Sequence, residues 1–64
     1  MIGDNIKFYR KKNQLTQDDI AEACNVTRQA VSKWENGESL PTVDNLYALS
    51  RLLHTSVDDI LIGE

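Results

Sequence analysis

The stretch TQDDIAEACNVTRQAVSKWENG, residues 16–37, decides the fold. Thr16 is a good helix N-cap, and Asp19, three residues on, can return a bond to the cap's own amide, the reciprocal arrangement of a capping box. Ile20, Ala21 and Cys24 then follow the i, i+1, i+4 spacing of a helix with one apolar face. Asn25 can take the left-handed conformation that ends a helix, Val26 is the buried turn residue, and Thr27 is the next N-cap. In the segment that follows, Ala30, Val31 and Trp34 form an inward stripe, while Arg28, Gln29, Ser32, Lys33 and Asn36 face outward. Gly37 is the stop. The result is two short helices joined by a turn of about three to four residues. Ala21 is small where the two cross closely, and Ile20, Val26, Val31 and Trp34 hold the crossing angle by burial.

Outward from this stretch, the same punctuation recurs one small helix at a time. A first helix is expected from Asp4 to Lys12, with Ile6, Tyr9 and Arg10 on one side, Lys7, Lys11 and Lys12 largely solvated, and Asn13-Gln14 ending it. Phe8 is then turned toward solvent or a neighbouring chain, or packs on the N-terminal residues. Glu38-Ser39-Leu40-Pro41 reads as a loop, and Thr42 caps a fourth helix whose apolar face is Leu46, Leu49, Leu52 and Leu53. His54-Thr55 breaks that helix, and Ser56-Val57-Asp58-Asp59 repeats the capping-box logic to open a short last helix with Ile60 and Leu61. No segment alternates as a strand does. The expectation is an all-α, compact five-helix bundle filling residues 1–64 as one domain.

Composition excludes several classes of function. A 64-residue chain buries too little surface to build a deep catalytic cleft, and its 41% hydrophobic and 27% charged residues are the balance of a folded globular protein. The single cysteine, Cys24, cannot form an internal disulfide and reads as core filler. With no apolar run near the ~20 residues a membrane span needs and no signal-peptide start in Met1-Ile2-Gly3-Asp4-Asn5, a cytoplasmic protein is expected. His54 has no Cys or His at ligand spacing, and Asp58 and Asp59 are first-turn helix acids, so no metal, cofactor or enzymatic chemistry is expected.

The net charge of −3 argues against a protein that simply coats a polyanion. The distribution is uneven. Through residue 34 the chain is +2, with Lys7, Arg10, Lys11, Lys12, Arg28 and Lys33 set against Asp4, Asp18, Asp19 and Glu22. From residue 35 it is −5, Arg51 standing alone against Glu35, Glu38, Asp44, Asp58, Asp59 and Glu64. A polyanion should meet the N-terminal half, where the two-helix unit can place its second helix in a DNA major groove. Arg can bond guanine bidentately and Gln can do the same with adenine.

The residues resemble the lambda-Cro and phage-repressor class of helix-turn-helix proteins, the XRE family. The likeness runs through Ile6-Lys7-Phe8-Tyr9-Arg10, Leu15-Thr16-Gln17, Ala30-Val31-Ser32-Lys33-Trp34-Glu35-Asn36-Gly37, then Pro41, Leu46, Leu49 and Ser56-Val57-Asp58. It implies a lambda-repressor-like bundle with helices 2 and 3 as the helix-turn-helix, and a sequence-specific transcriptional repressor of double-stranded operator DNA. By the same resemblance, Arg28, Gln29, Ser32 and Lys33 are the base-reading positions, while Gln17 and Asn36 hold phosphate. Lys11 and Lys12 are phosphate candidates too, or simply a solvated helix end. The chain departs from the pattern at Asn25, where relatives often have Gly, and at Glu38-Ser39-Leu40, where relatives are often basic. A protein-binding module or antitoxin is the alternative, suggested by the acidic surface beyond residue 35.

Two further expectations concern assembly and support. Val57, Ile60, Leu61 and Ile62 exceed what one side of so short a helix can bury, which points to a homodimer through the last helix, in solution or only on DNA. Arg10 and Glu35 fall on inward sides of helices 1 and 3, where each charge must meet the other or snorkel to water. The resemblance implies an ion pair there.

Overall fold

The computed structural model describes residues 1–63. Five helices, α1 (Ile2–Lys12), α2 (Gln17–Cys24), α3 (Arg28–Asn36), α4 (Val43–Leu52) and α5 (Val57–Leu61), make up its regular structure, with no strand among the described residues. The packing is all-α, with α1 against α3 and α5, α2 against α3 and α4, and α4 against α5. One cluster fills the centre: Ile6, Ile20, Ala21, Val31, Trp34, Leu49, Leu53 and Ile60, drawn from every helix and from the residue that ends α4.

Local capping chemistry sets four of the five starts. The Thr16 hydroxyl accepts from the Asp19 amide at 3.0 Å while the Asp19 carboxylate accepts from the Thr16 amide at 2.8 Å, a complete capping box. Thr27, Thr42 and Ser56 each accept from the amide three residues on. Asn25 (φ 57°) and Gly37 (φ 80°) close α2 and α3 in the left-handed region, as their residue types allow. At α5 the reciprocal half of the expected capping box is missing: the Asp59 carboxylate accepts from the Thr55 hydroxyl at 3.1 Å instead of closing on Ser56.

The first helix departs most from expectation. It begins at Ile2, two residues before Asp4, without a side-chain cap. The reason is tertiary: Gly3 is buried against the end of α3, so close that a Cβ there would lie 2.4 Å from the Trp34 carbonyl oxygen and 2.7 Å from that of Glu35. Only a residue without a side chain lets these two backbones approach so closely. At the other end of α1, the Asn13 side-chain amide donates to the carbonyls of Tyr9 (2.7 Å) and Leu53 (3.0 Å), tying that end to the end of α4.

Candidate nucleic-acid interface

The outward face of α3 is polar from end to end. Arg28, Gln29, Lys33 and Asn36 are exposed and Ser32 is half-buried, while Val31, Trp34 and Glu35 turn inward. Arg28, Gln29, Ser32 and Lys33 recur one turn apart, so they share the face that an approaching surface would meet. The Asn36 amide lies 3.5 Å from the Ser32 hydroxyl, at the long limit of a hydrogen bond.

Behind this face a charged network fixes the helix in place. Glu35 is buried, and its two carboxylate oxygens accept from Arg10, Nε to Oε2 at 2.7 Å and Nη2 to Oε1 at 3.2 Å. Arg10 Nη1 donates to the Leu15 carbonyl at 3.0 Å, so the guanidinium joins α1, the α1–α2 turn and α3. The bidentate fork suits a planar guanidinium and satisfies the buried carboxylate.

Gln17, the first residue of α2, extends the network outward. Its amide nitrogen donates to Glu35 Oε1 at 3.1 Å, and its amide oxygen accepts from Arg28 Nε at 3.5 Å. The side chain thus lies half-buried between the ion pair and the first residue of α3. Arg10, Leu15, Thr16, Gln17, Asp18 and Arg28 line a hollow of about 450 Å³ at the start of α2. The first turn of α2 and the Arg28 guanidinium border it and can favour an anion, although Asp18 lines it too and the Arg10 charge is already met by Glu35. The link from Gln17 to Glu35 was invisible to sequence reasoning, because it joins residues 18 apart across two helices.

Other candidate residues lie apart from this face. Lys11 and Lys12 are exposed at the end of α1, and the Lys12 ammonium sits 6.0 Å from the Tyr9 ring centroid. Phe8 is exposed and meets Tyr9 edge-on at 5.0 Å; with Asp4, Asn5 and Gly63 these rings border a shallow hollow. Cys24 is half-buried, and desolvation pushes its thiol upward, away from the reactive thiolate. No cluster of potential metal ligands occurs among the described residues, and no helix there is long and apolar enough to cross a membrane.

The expected dimer surface needs one correction. Ile60 is wholly buried, at 0% exposure, and belongs to the core, so it offers nothing to a partner. Leu61 is 40% and Ile62 79% exposed, and Val57 is half-buried. Asn5 accounts for the way α5 seats: its side-chain amide donates to the Ile60 carbonyl at 2.9 Å, docking α5 on α1 with Ile60 inward.

Five short helices around one core, with α2 and α3 crossing over a short turn and the polar face of α3 turned outward, define a lambda-repressor-like helix-turn-helix domain. The family described as helix-turn-helix matches residues 6–60, and the chain belongs to this XRE-type family. It is 43% identical over 63 residues to the HTH-type transcriptional regulator DicA of Escherichia coli strain K12, a match covering 98% of this chain and 47% of DicA. It is 36% identical over 64 residues to repressor protein C2 of Salmonella phage P22, covering all of this chain and 30% of that repressor. The crystal structure of the P22 c2 repressor with a synthetic operator superposes with a TM-score of 0.93 at 36% identity, over 100% of this chain and 97% of that one. The N-terminal DNA-binding domain of SinR from Bacillus subtilis gives 0.86 at 32% identity, over 95% and 90%. The chain spans less than half the length of the two curated relatives described here, 47% of DicA and 30% of repressor C2.

Proposed function

We propose that this chain is the operator-reading part of a cytoplasmic transcription regulator that represses by occupying its site and does no covalent chemistry. The observation that carries the reading is the exposed polar face of α3, held at a set angle by the Arg10–Glu35–Gln17 network behind it. With α3 in the major groove, Arg28, Gln29, Ser32 and Lys33 meet base edges. Gln17 and the first turn of α2 meet a phosphate at the hollow beside Arg28, and Asn36 positions the far end of α3 on the backbone. Lys11 and Lys12 add general attraction to the duplex from the basic half of the chain. The operator complex of the P22 c2 repressor, with its near-identical fold, supports this docking.

Two copies are needed to read a two-fold operator. The longest dimension of the domain is 27 Å, short of the roughly 34 Å between successive major-groove faces on one side of a duplex. Val57, Leu61 and Ile62 form the pairing surface, which is small enough that DNA assists its formation. A titration against a library of random duplexes at fixed salt tests the reading. Enrichment of one two-fold sequence family is expected; weak retention indifferent to sequence would overturn it and favour a protein-binding role.

A further inference from the structure

A hollow between α1 and the end of α5 has no role in the proposed DNA surface. Asp4, Asn5, Phe8, Tyr9 and Gly63 line it, its volume is about 380 Å³, and most of its wall is apolar. Phe8 is 58% exposed and stands edge-on to Tyr9, with 5.0 Å between ring centroids. One exposed aromatic is ordinary, whereas two that wall a concave apolar site form a contact anchor. Asn5 joins the hollow to α5: its side-chain amide donates to the Ile60 carbonyl at 2.9 Å, and a Cβ on Gly63 would lie 2.8 Å from that amide. Having no side chain, Gly63 leaves its corner of the hollow open. Ile62, the residue before it, is 79% exposed. Each copy of the chain therefore carries an apolar knob next to an apolar socket.

The charges beside knob and socket select the occupant. Asp58 lies one turn before Ile62, whose amide donates to the Asp58 carbonyl at 2.8 Å, so the two share a face of α5. Lys12 lies one turn beyond Phe8 on α1, and its ammonium stands 6.0 Å from the Tyr9 ring centroid, beside the hollow. Asp4 stands one turn before Phe8, at the other rim. The spacing from acid to knob thus matches the spacing from lysine to socket when α5 of one copy runs antiparallel to α1 of another. In the reverse direction Asp58 would meet Asp4, a like charge. We infer that Ile62 of one copy seats against Phe8 and Tyr9 of a second, with Asp58 of the first facing Lys12 of the second. Two-fold symmetry makes the contact twice. The inference rests on the proposed pairing through α5 and names what α5 meets. Leu61 and Ile62 alone, the former only 40% exposed, fall well short of the roughly 800 Å² per partner of a stable interface. The aromatic hollow supplies part of the difference.

Sedimentation equilibrium of the DNA-free chain up to about 1 mM, where weak contacts are populated, tests this. The chain is expected to dimerise there, and Phe8→Ser and Leu61→Ser/Ile62→Ser each to weaken the dimer at least tenfold. Lys12→Glu or Asp58→Lys alone should weaken it too. Mixing these two variants should restore association, because an unlike pair sets Glu against Lys at one contact and keeps the native pair at the other. A charge acting only within its own chain gives no such rescue. All these side chains are exposed, and a thermal melt of each variant checks folding; should a charge variant fail to fold, Phe8→Ser decides alone. A chain monomeric at that concentration, a dimer indifferent to Phe8→Ser, or folded charge variants that do not rescue each other on mixing would overturn the inference, leaving α5 pairing to be judged by operator binding. A dimer indifferent to Leu61→Ser/Ile62→Ser would overturn both.

Discussion

Glu35 and Arg10 form a bidentate ion pair, 2.7 Å at its shorter contact, that joins the end of α3 to the last turn of α1 beneath the outward face of α3. Both side chains are largely withdrawn from water, so each charge depends on the other. Arg10→Met or Glu35→Leu alone should therefore cost about 3–5 kcal/mol, a large share of the ~5–15 kcal/mol by which domains are stable. The double substitution should recover much of the loss, because the stranded charge is the main penalty. A denaturant double-mutant cycle measures this; additive effects below about 1 kcal/mol each would mean the pair behaves as an exposed one.

The same network reaches the proposed reading surface through Gln17 and Arg28. Replacing Arg28 or Gln29 by Ala should cost about 1–3 kcal/mol of operator binding and relax preference at one base pair. Gln17→Ala should weaken binding to all sequences alike, since a phosphate contact carries no base information. Competition against a panel of single-base operator variants separates the two patterns, and an unchanged ranking of sites in the Arg28 and Gln29 variants would remove α3 as the reader.

Gly3 bears on the same helix end from the other side. A Cβ at this position would overlap the Trp34 and Glu35 carbonyls, both backbone atoms that cannot swing aside. Gly3→Ala should destabilise the domain by about 1–3 kcal/mol despite the better helix propensity of alanine. Urea denaturation checks this, and a gain in stability would show that α1 can move off α3 without loss.

At α5, two neighbouring apolar residues should behave oppositely. Ile60→Ala removes a wholly buried side chain and should cost about 2–5 kcal/mol of stability. Leu61→Ser with Ile62→Ser removes exposed ones, leaving the melting temperature nearly unchanged while loosening cooperative operator binding. Calorimetry and binding isotherms of the two variants make the comparison; operator binding as tight and cooperative as before in the serine variant would place the dimer contact elsewhere.

Stability at low pH should respond to Asp19. The backbone and side-chain hydrogen bonds of Thr16 hold its carboxyl below the usual value of 3.8. A group depressed in the folded state contributes stability above its unfolded pKa, and that contribution fades as pH falls through the lower folded value. Asp19→Asn should therefore lower stability at neutral pH and flatten its decline below about pH 4, near the unfolded carboxylate range. Melting temperatures from pH 7 to 2 provide the check, and parallel curves for the two proteins would rule out a role for the carboxylate charge.

What the sequence determined by itself was local. The starts of α2 to α5 were legible at Thr16, Thr27, Thr42 and Ser56, and two stops at Asn25 and Gly37, because a cap is satisfied within about one turn of its own chain. The polar outer face of α3 was legible for the same reason, since helical period alone separates Arg28, Gln29 and Lys33 from Val31 and Trp34. Only the tertiary structure decided where α1 begins, since Gly3 answers to carbonyls more than 30 residues away. It also decided that Ile60 faces the core while Leu61 and Ile62 do not, because five residues make little more than one turn and the docking of Asn5 on the Ile60 carbonyl sets its rotation. The amide of Gln17 gained its partners, Glu35 and Arg28, in the same way. Caps and periodicity act over one turn, whereas close approach, helix rotation and shared hydrogen bonds depend on which distant backbone the core brings alongside.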